Sequence, residues 1–236
     1  ERLYYSDSHL AAFEAEVVSC TPSGKGYYVT VLDRTAFFPE GGGQPGDTGV
    51  IGDVPVTDTH EKDGDVCHYT SEFIEPGSYV KCSIDWGRRF NFMQNHSGEH
   101  IVSGIVHSMT GFNNVGFHMS EGFVTVDFDG ELTGEQLEEI ERTANGAVWE
   151  NREVRAWFPA AAELKDIEYR SKLDITEGVR LVTIDGYDTC ACCAPHVKRT
   201  GEIGVIKITD FMRHRGGVRI TMVCGRDALA DYCTKQ

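Results

Sequence analysis

Residues 79–84 read Tyr-Val-Lys-Cys-Ser-Ile, and from Arg88 the chain changes its periodicity. The first segment carries the branched and aromatic residues of a β-strand. Beyond Arg88 the apolar residues are spaced as in a helix of about five turns, and they are Met93, Ile101, Ile105 and Met109. This change divides the chain into a β-rich domain over 1–86 and a second domain over 87–236. The sequence therefore predicts an α+β protein.

The first domain contains several short β-type segments separated by glycine turns. They lie at 15–18, 27–32, 54–56 and 79–84, which predicts a small barrel or sandwich. Between them, residues 37–46 read Phe-Phe-Pro-Glu-Gly-Gly-Gly-Gln-Pro-Gly. Three consecutive glycines predict a loop. The loop is either a plain long turn or a segment whose backbone N–H groups approach a ligand.

The second domain mixes helices and strands. A helix is predicted from about Gly134 to Asn151, because Thr133 and Gln136 form a capping box ahead of an apolar stripe. Strands are predicted at 123–128, 179–184, 204–208 and 217–223. We expect these strands to form one sheet.

Composition limits the partners of the chain. The 236 residues carry a net charge of −15, which counts against general nucleic-acid binding because such domains usually present a basic surface. RNA contacts would need a local basic patch, and the candidates are 213–219, Arg88-Arg89 and Lys198-Arg199. No apolar run has the length of a membrane span, and the N-terminus lacks a signal-peptide pattern. We therefore expect a cytoplasmic protein with no membrane partner.

The eight cysteines do not predict a disulfide framework, because the chain is long and has no recognisable signal peptide. Three of them, Cys190, Cys192 and Cys193, lie within four positions and close to His196, which indicates metal binding. The other five are expected to be small buried side chains, namely Cys20, Cys67, Cys82, Cys224 and Cys233.

Two histidine-containing pairs predict the metal site. His96 and His100 are one helical turn apart and share a face. Cys192 and His196 have the same offset in a segment that Pro195 makes a turn. Together the four give a tetrahedral set, and thiolate with imidazole favours one zinc ion. Spacing alone leaves Cys190 and Cys193 as rival sulfur ligands.

A metallopeptidase offers an alternative reading. His96-Ser97-Gly98-Glu99-His100 also has the order His-x-x-Glu-His, in which Glu99 would be the general base. That scheme usually completes its site with a carboxylate, whereas the downstream candidates here are cysteine and histidine. Glu99 could equally be an acid on the helix surface.

Four motifs in order resemble the editing domain of alanyl-tRNA synthetase and the free-standing alanyl-tRNA editing proteins of the AlaX family, in their medium-sized, glycine-rich form. The motifs are the glycine-rich segment 35–49, His96-x-x-x-His100, Cys192-x-x-x-His196-Val197 and residues 200–204. The resemblance covers nearly the whole chain and implies Cys192 as the sulfur ligand. Cys193-Ala194-Pro195 departs from the Gly-Gly-Thr that is frequent in the family.

The resemblance implies a translation-factor-like β-barrel followed by an α+β editing module shared with threonyl-tRNA synthetase. It implies a zinc-dependent hydrolase that removes serine or glycine from mischarged tRNA(Ala). A tRNA-binding module with structural zinc is a further alternative, and we expect a monomer. Candidate catalytic residues are Ser97, Glu99 and His118, and the candidate substrate-binding residues are Gly41, Gly42, Gly43, Gln44 and Arg215.

Overall fold

The computed structural model of the protein describes residues 1–24, 26–171 and 178–235. The chain divides into two compact units, Glu1–Phe90 and Asn91–Gln236. Each unit is described by itself below.

The first unit is a closed antiparallel barrel of six strands, which confirms the barrel and excludes the sandwich. Its strands follow the order β1-β2-β5-β4-β3-β6 around the barrel. Their bounds are β1 Ala12–Pro22, β2 Tyr28–Leu32, β3 Gly49–Ile51, β4 Val54–Lys62, β5 Asp65–Thr70 and β6 Tyr79–Ile84. Alternating side chains fill the interior, among them Val17, Leu32, Ile51 and Ile84. Two strands were not predicted: β3 has only three residues, and β5 includes the polar residues Asp65 and His68.

The glycine-rich segment forms a tight turn, which confirms the predicted loop. Gly41 and Gln44 exchange both backbone hydrogen bonds at 3.0 Å. Gly42 and Gly43 have φ angles of 60° and 81°, a conformation that glycine adopts without the penalty of a side chain. The turn is therefore a backbone-defined feature with its two central glycines exposed to solvent.

A buried ion pair holds the end of this segment. Arg89, fully buried, binds both carboxylate oxygens of Asp47 and donates to the Ala36 carbonyl at 2.6 Å. The Asp47 carboxylate also accepts from the Phe38 N–H at 2.6 Å. Arg89 is consequently an internal residue, and the sequence expectation that it contributes to a basic RNA-binding patch is wrong.

The helices are α1 Trp86–Thr110, α2 Gly134–Glu150, α3 Ala161–Leu164 and α4 Gly225–Thr234. The capping box of Thr133 and Gln136 is present at the start of α2, and the predicted apolar stripe is buried. α1 has 25 residues, which is about seven turns rather than the predicted five.

The strands of the second unit form two sheets, not the single sheet expected. One has the order β12-β13-β8-β7 and the other β11-β10-β9. Their bounds are β7 Asn114–Ser120, β8 Phe123–Phe128, β9 Val154–Trp157, β10 Leu181–Ile184, β11 Asp188–Ala191, β12 Ile206–His214 and β13 Gly217–Cys224. The predicted strand 179–184 leaves the main sheet because its core, β10, pairs on both sides with β9 and β11.

The cysteines are all free thiols. Four of the five expected to be buried are buried, whereas Cys233 is exposed. Its position near the end of α4, where Ala228 is the buried residue, leaves it facing solvent. Among the described residues, no helix combines the length and the apolar character needed to cross a membrane.

Candidate metal centre

His96 and His100 lie on one face of α1, separated by a single helical turn. Their ring centroids are 5.3 Å apart. Both side chains are buried, with exposed fractions of 2% and 3%. The helix therefore presents two imidazoles to one point.

Cys192 and His196 lie in the turn that follows β11. The Arg180 guanidinium donates through Nη1 to the carbonyls of Cys192 and Ala194, both at 2.9 Å. The Cys192 N–H in turn donates to the Arg180 carbonyl at 3.0 Å. These bonds fix the turn, so that its thiol and its imidazole are held in place before any ligand arrives.

The two pairs meet. The candidate ligand atoms of His96, His100, Cys192 and His196 all lie within 4.8 Å of one another. The Cys192 Sγ is 3.7 Å from His96 Nε2 and 3.4 Å from His196 Nε2. In a tetrahedral zinc site, sulfur and nitrogen ligands are separated by about 3.6 Å, given zinc–sulfur bonds of about 2.3 Å and zinc–nitrogen bonds of about 2.0–2.1 Å. The donor types and their separations thus fit zinc.

The rival sulfurs are placed differently. Cys193 is exposed, and Cys190 lies in a neighbouring group with His100 and Asp188. The structure therefore brings Cys192, and neither of the two flanking thiols, into the group with all three histidines.

Two imidazoles have their second nitrogen engaged by the protein. The Nδ1 atom of His196 is 3.0 Å from the Ser97 Oγ, which also accepts from the Val197 N–H at 3.2 Å. The Nδ1 atom of His100 is 3.1 Å from an Asp188 oxygen. Such partners fix the tautomer in which Nε2 carries the free lone pair.

Two further side chains, Arg170 and Phe117, hold the residues around the metal group in place. The Arg170 guanidinium binds both oxygens of Asp188, at 2.7 and 2.9 Å. The Phe117 ring stacks on His96 with a centroid separation of 4.9 Å. The imidazoles are thereby oriented by an ion pair on one side of the site and by an aromatic ring on another.

The electrostatics of the group favour a thiolate. Burial opposes ionisation of Cys192, but the charges of His96 and His196 and the hydrogen bonds of His100 and His196 outweigh it and hold the pKa of the thiol well below its ordinary value. Burial lowers the pKa of His196 to about 3, although Cys192 opposes this shift. Burial acts in the same direction on His100, but the hydrogen bond to Asp188 prevails and raises its pKa well above the ordinary value.

Glu99 is not a surface acid, so that sequence interpretation is wrong. Its side chain is 4% exposed. One carboxylate oxygen accepts from the Ser103 hydroxyl and from the Asn114 amide, the latter at 2.6 Å. Glu99 is absent from the group of four ligands. Its place at i+3 from His96 turns it toward β7, where Asn114 begins the strand.

The remaining predicted residues lie apart from this group or in the other unit. His118 is exposed on β7, and strand alternation directs its side chain to the face opposite Phe117. Arg215 is exposed at the turn between β12 and β13, with a φ angle of 48°. Gly41, Gly42, Gly43 and Gln44 belong to the first unit, where the Gln44 side chain is fully buried.

Sequence reasoning missed the residues that assemble the site. A Cβ on Gly98 would lie 2.3 Å from the Cys224 Sγ, and a Cβ on Gly104 would lie 2.1 Å from the Tyr187 carbonyl oxygen. These glycines allow α1 to approach β13 and the β10–β11 turn closely, which carries Asp188 to His100. Glycine inside a helical pattern was the available signal. Arg170 gave none.

An open cavity of about 540 Å³ adjoins the group. It is bounded by the C-terminal part of α1, the start of β7, residues 168–171 and the β10–β11 hairpin. Asp188 and Cys190, which lie beside His100, are part of its wall.

Comparison with known proteins identifies the class. Residues 179–221 match the family described as the threonyl and alanyl tRNA synthetase second additional domain, and residues 5–88 match the class II (A) tRNA synthetases. The α+β unit with its His/Cys group is therefore an editing-type module of tRNA synthetases, preceded by a barrel.

Relatives define the family within that class. The chain is 32% identical over 240 residues to the alanyl-tRNA editing protein AlaX-L of Pyrococcus horikoshii, covering 98% of this chain and 59% of the relative. It is 36% identical to the alanyl-tRNA editing protein Aarsd1-A of Xenopus laevis, covering 86% and 53%. It is 38% identical to the alanine–tRNA ligase of Halobacterium salinarum, covering 97% and 26%. The chain belongs to the family of the alanyl-tRNA editing proteins, and it spans about half to three fifths of their length.

Proposed function

We propose that the protein is a hydrolase that cleaves the ester between serine or glycine and the 3′ end of mischarged tRNA(Ala), acting as a monomer in the cytoplasm. The convergence of His96, His100, Cys192 and His196 within 4.8 Å carries this proposal. Relatives that are named alanyl-tRNA editing proteins support the choice of tRNA(Ala).

Zinc is the metal that this donor set favours. When bound, it would polarise the ester carbonyl or lower the pKa of a water molecule to about 7. Asp188 and Ser97 hold the Nδ1 sides of His100 and His196, so that both Nε2 atoms face the thiol. Cys192 remains partly exposed, which leaves one side of the group open to a substrate.

Ser97 takes a positioning role in this proposal. It is fully buried, and its hydroxyl is bonded to His196 and to the Val197 N–H. We retain His118, Arg215 and residues 41–44 as predicted substrate contacts, with the exposed residues Gly42 and Gly43 as the contacting part of the turn.

The surroundings of Glu99 favour the esterase proposal over the metallopeptidase alternative. The Glu99 carboxylate is buried and hydrogen-bonded to Ser103 and Asn114. A general base must reach the attacking water, and this carboxylate is turned into the protein interior instead.

One experiment tests the function. The metal-loaded protein is incubated with Ser-tRNA(Ala), Gly-tRNA(Ala) and Ala-tRNA(Ala), with and without a chelator. Chelator-sensitive release of serine or glycine, with alanine retained, is the expected result. A protein that binds tRNA but leaves all three esters intact would be a binding module with structural metal, and the proposal would fail.

Matched cysteine variants test the site. Cys192→Ser should lose both bound zinc and deacylation, because it removes the thiolate that contacts the three imidazoles. Cys193→Ser changes an exposed thiol in the adjacent position and should retain both. Zinc content is measured by elemental analysis and activity by loss of labelled amino acid from tRNA. Equal zinc content in the two variants would refute Cys192 as a ligand.

A further inference from the structure

Cys190 is a second thiol beside the metal group, and the proposed function does not use it. Together with His100 and Asp188 it forms a group whose ligand atoms lie within 4.8 Å of one another. His100 also belongs to the group of four candidate zinc ligands, which contains Cys192. The two groups therefore share one imidazole, and two thiols lie beside the same ring.

The strand geometry places both thiols on one side of β11. Cys190 is paired with β10, and the pairing continues for one residue beyond β11 because the Cys192 N–H donates to the Arg180 carbonyl at 3.0 Å. Alternate residues of an extended strand point to the same face. Cys190 and Cys192 consequently share the face on which Asp188 meets His100.

The spacing of the two thiols suits a shared metal ion better than a disulfide. Alternate Cβ atoms on one face of a strand are roughly 6.4–6.8 Å apart, whereas a disulfide needs about 3.5–4.5 Å. With a metal–sulfur bond of about 2.3 Å, one ion joins two sulfurs up to about 4.6 Å apart. Inclining the two Cβ–Sγ bonds toward each other along the strand brings the sulfurs into that range while the backbone stays in place.

The Cys190 thiol has no strong partner among the described residues. Its side-chain hydrogen bond in that part of the chain is a long one to the Ala191 carbonyl, at 3.6 Å. Asp188, the carboxylate of the same group, is already bonded through both oxygens to Arg170. The atom that this group adds for a cation is therefore a sulfur.

Both thiols can be reached by an ion from solvent. Cys190 lies in the wall of the open cavity of about 540 Å³. Cys192 is partly exposed, whereas the three histidines are buried. A cation can thus meet the two sulfurs before it meets the imidazoles.

A second sulfur changes which metal ions the site prefers. Thiolate ligands select soft cations such as Cu(I), whereas imidazole also suits zinc and other transition metals. We propose that Cys190, Cys192 and His100 give this site a second binding mode, in which they hold one Cu(I) ion in place of zinc. This mode goes beyond the proposed function and concerns the metal alone.

Matched serine variants test the second sulfur. Cys190→Ser removes the proposed ligand, and Cys193→Ser removes the exposed thiol on the other side of Cys192. Cu(I) and zinc affinities are measured without oxygen by competition with chromophoric chelators. Cys190→Ser should bind Cu(I) at least about tenfold more weakly and zinc as tightly as the unmodified protein, and Cys193→Ser should bind both metals normally.

X-ray absorption on the Cu(I)-loaded proteins counts the sulfur ligands directly. We expect two sulfurs in the unmodified protein and in Cys193→Ser, and one in Cys190→Ser. A single sulfur in the unmodified protein, or equal Cu(I) affinity in Cys190→Ser, would overturn the proposal. A parallel loss of zinc affinity in Cys190→Ser would also overturn it, because the thiol would then support the site as a whole.

Metal exchange distinguishes the second mode from a separate copper site. Because the two metals share Cys192 and His100, one equivalent of Cu(I) should release one equivalent of zinc from the zinc-loaded protein, detected with a chromophoric zinc chelator. Copper binding that leaves the zinc in place would contradict the shared ligands. A protein that exchanges the metals in a Cys190-dependent manner but hydrolyses no ester would keep the copper mode while the proposed function fails.

Discussion

His100 is held at the Nδ1 end of its ring by Asp188, which is itself held by Arg170. Asp188 lies 3.1 Å from Nδ1, and Arg170 binds the two oxygens of that carboxylate. Burial would raise the pKa of Asp188, but the hydrogen bonds and charges of His100 and Arg170 outweigh it and lower that pKa. Asp188 is therefore an anion that orients a metal-binding imidazole.

Asp188→Asn should weaken zinc binding about 10- to 100-fold, because an amide cannot supply the charge that orients His100. Competition with a chromophoric chelator measures the affinity directly. Asp185→Asn, at an exposed position of the same hairpin, is the control and should bind zinc normally. Equal zinc affinities for the two variants would show that the contact between Asp188 and His100 does not contribute to zinc binding.

His68 in the barrel is a buried residue that should make stability depend on pH. It is 1% exposed, its Nδ1 is 2.9 Å from the Thr30 carbonyl, and its Nε2 is 2.9 Å from the Thr35 hydroxyl. Nδ1–H therefore donates while Nε2 accepts, which requires the neutral ring. Burial lowers the pKa of His68 to about 4, against the weaker effect of the bond to Thr30.

A lowered pKa on a base means that the unfolded chain binds the proton more readily. The stability contributed by His68 is therefore complete above about pH 6.5 and is lost as the pH falls toward 4. The loss amounts to about 3 kcal/mol between pH 7 and pH 4. In His68→Asn the free energy of unfolding, measured with urea, should depend correspondingly less on pH over that range.

The control is His60, a partly exposed histidine of the same barrel. His60→Asn makes the same substitution at a less buried position of the barrel, so that the effect of burial can be compared directly. If the free energy of unfolding of His68→Asn depends on pH as steeply as that of the unmodified protein, another group takes up the proton.

At the level of elements, α1 approaches the β10–β11 turn through Gly104. A Cβ at this position would be 2.1 Å from the Tyr187 carbonyl oxygen and 2.8 Å from the Asp188 Cβ. Backbone and Cβ atoms cannot move away by a side-chain rotation, so the helix or the turn itself must shift. Gly104→Ala should destabilise the protein by about 1–3 kcal/mol and weaken zinc binding, because Asp188 shifts relative to His100.

Gly146 on α2 is the matched control. Nothing lies within 4 Å of a Cβ built there. Gly146→Ala should stabilise the protein by about 0.5–1 kcal/mol through the higher helix propensity of alanine. Urea unfolding and zinc competition on both variants check the pair, and a Gly104→Ala protein as stable as Gly146→Ala would contradict the close approach.

The two long helices differed in how well the sequence predicted them. α2 has one buried stripe and a capping box at Thr133, so periodicity and caps located it. α1 is buried on every side over 91–106, and it carries polar residues that bond inside the protein; for example, Asn95 accepts from the Cys224 N–H at 2.8 Å. A helix without a polar face lacks the amphipathic pattern that marks its length.

At the scale of the whole molecule, the net charge of −15 makes individual exposed cations important for RNA binding. Within 213–219, Arg219 binds the Asp127 carboxylate at 2.6 and 2.7 Å and Arg213 contacts Glu131 at 2.9 Å. These acids neutralise much of the patch that the sequence suggested. Arg215, exposed at the turn, is the better candidate for a phosphate contact.

Arg215→Ala should weaken tRNA binding and reduce the slope of log K against log salt by about one, the effect of losing one phosphate contact. The affinity is measured at several salt concentrations by fluorescence anisotropy. Arg142→Ala removes an exposed arginine of α2 and should leave the slope unchanged. Identical slopes for the two variants would remove Arg215 from the RNA-binding surface.

The sequence by itself determined the two-part α+β organisation, the β-rich character of the first domain, and the three histidines and the cysteine cluster from which the candidate ligands come. Those features depend on local periodicity, turn residues and motif spacing, all of which act over a few residues. Tertiary structure alone decided that β10 pairs with β9 and β11, that Glu99 is buried and that Asp188 and Arg170 support His100. These outcomes depend on how closely α1 packs against strands far away in the chain, and a glycine in a helical pattern marks a close approach without indicating which strand it meets.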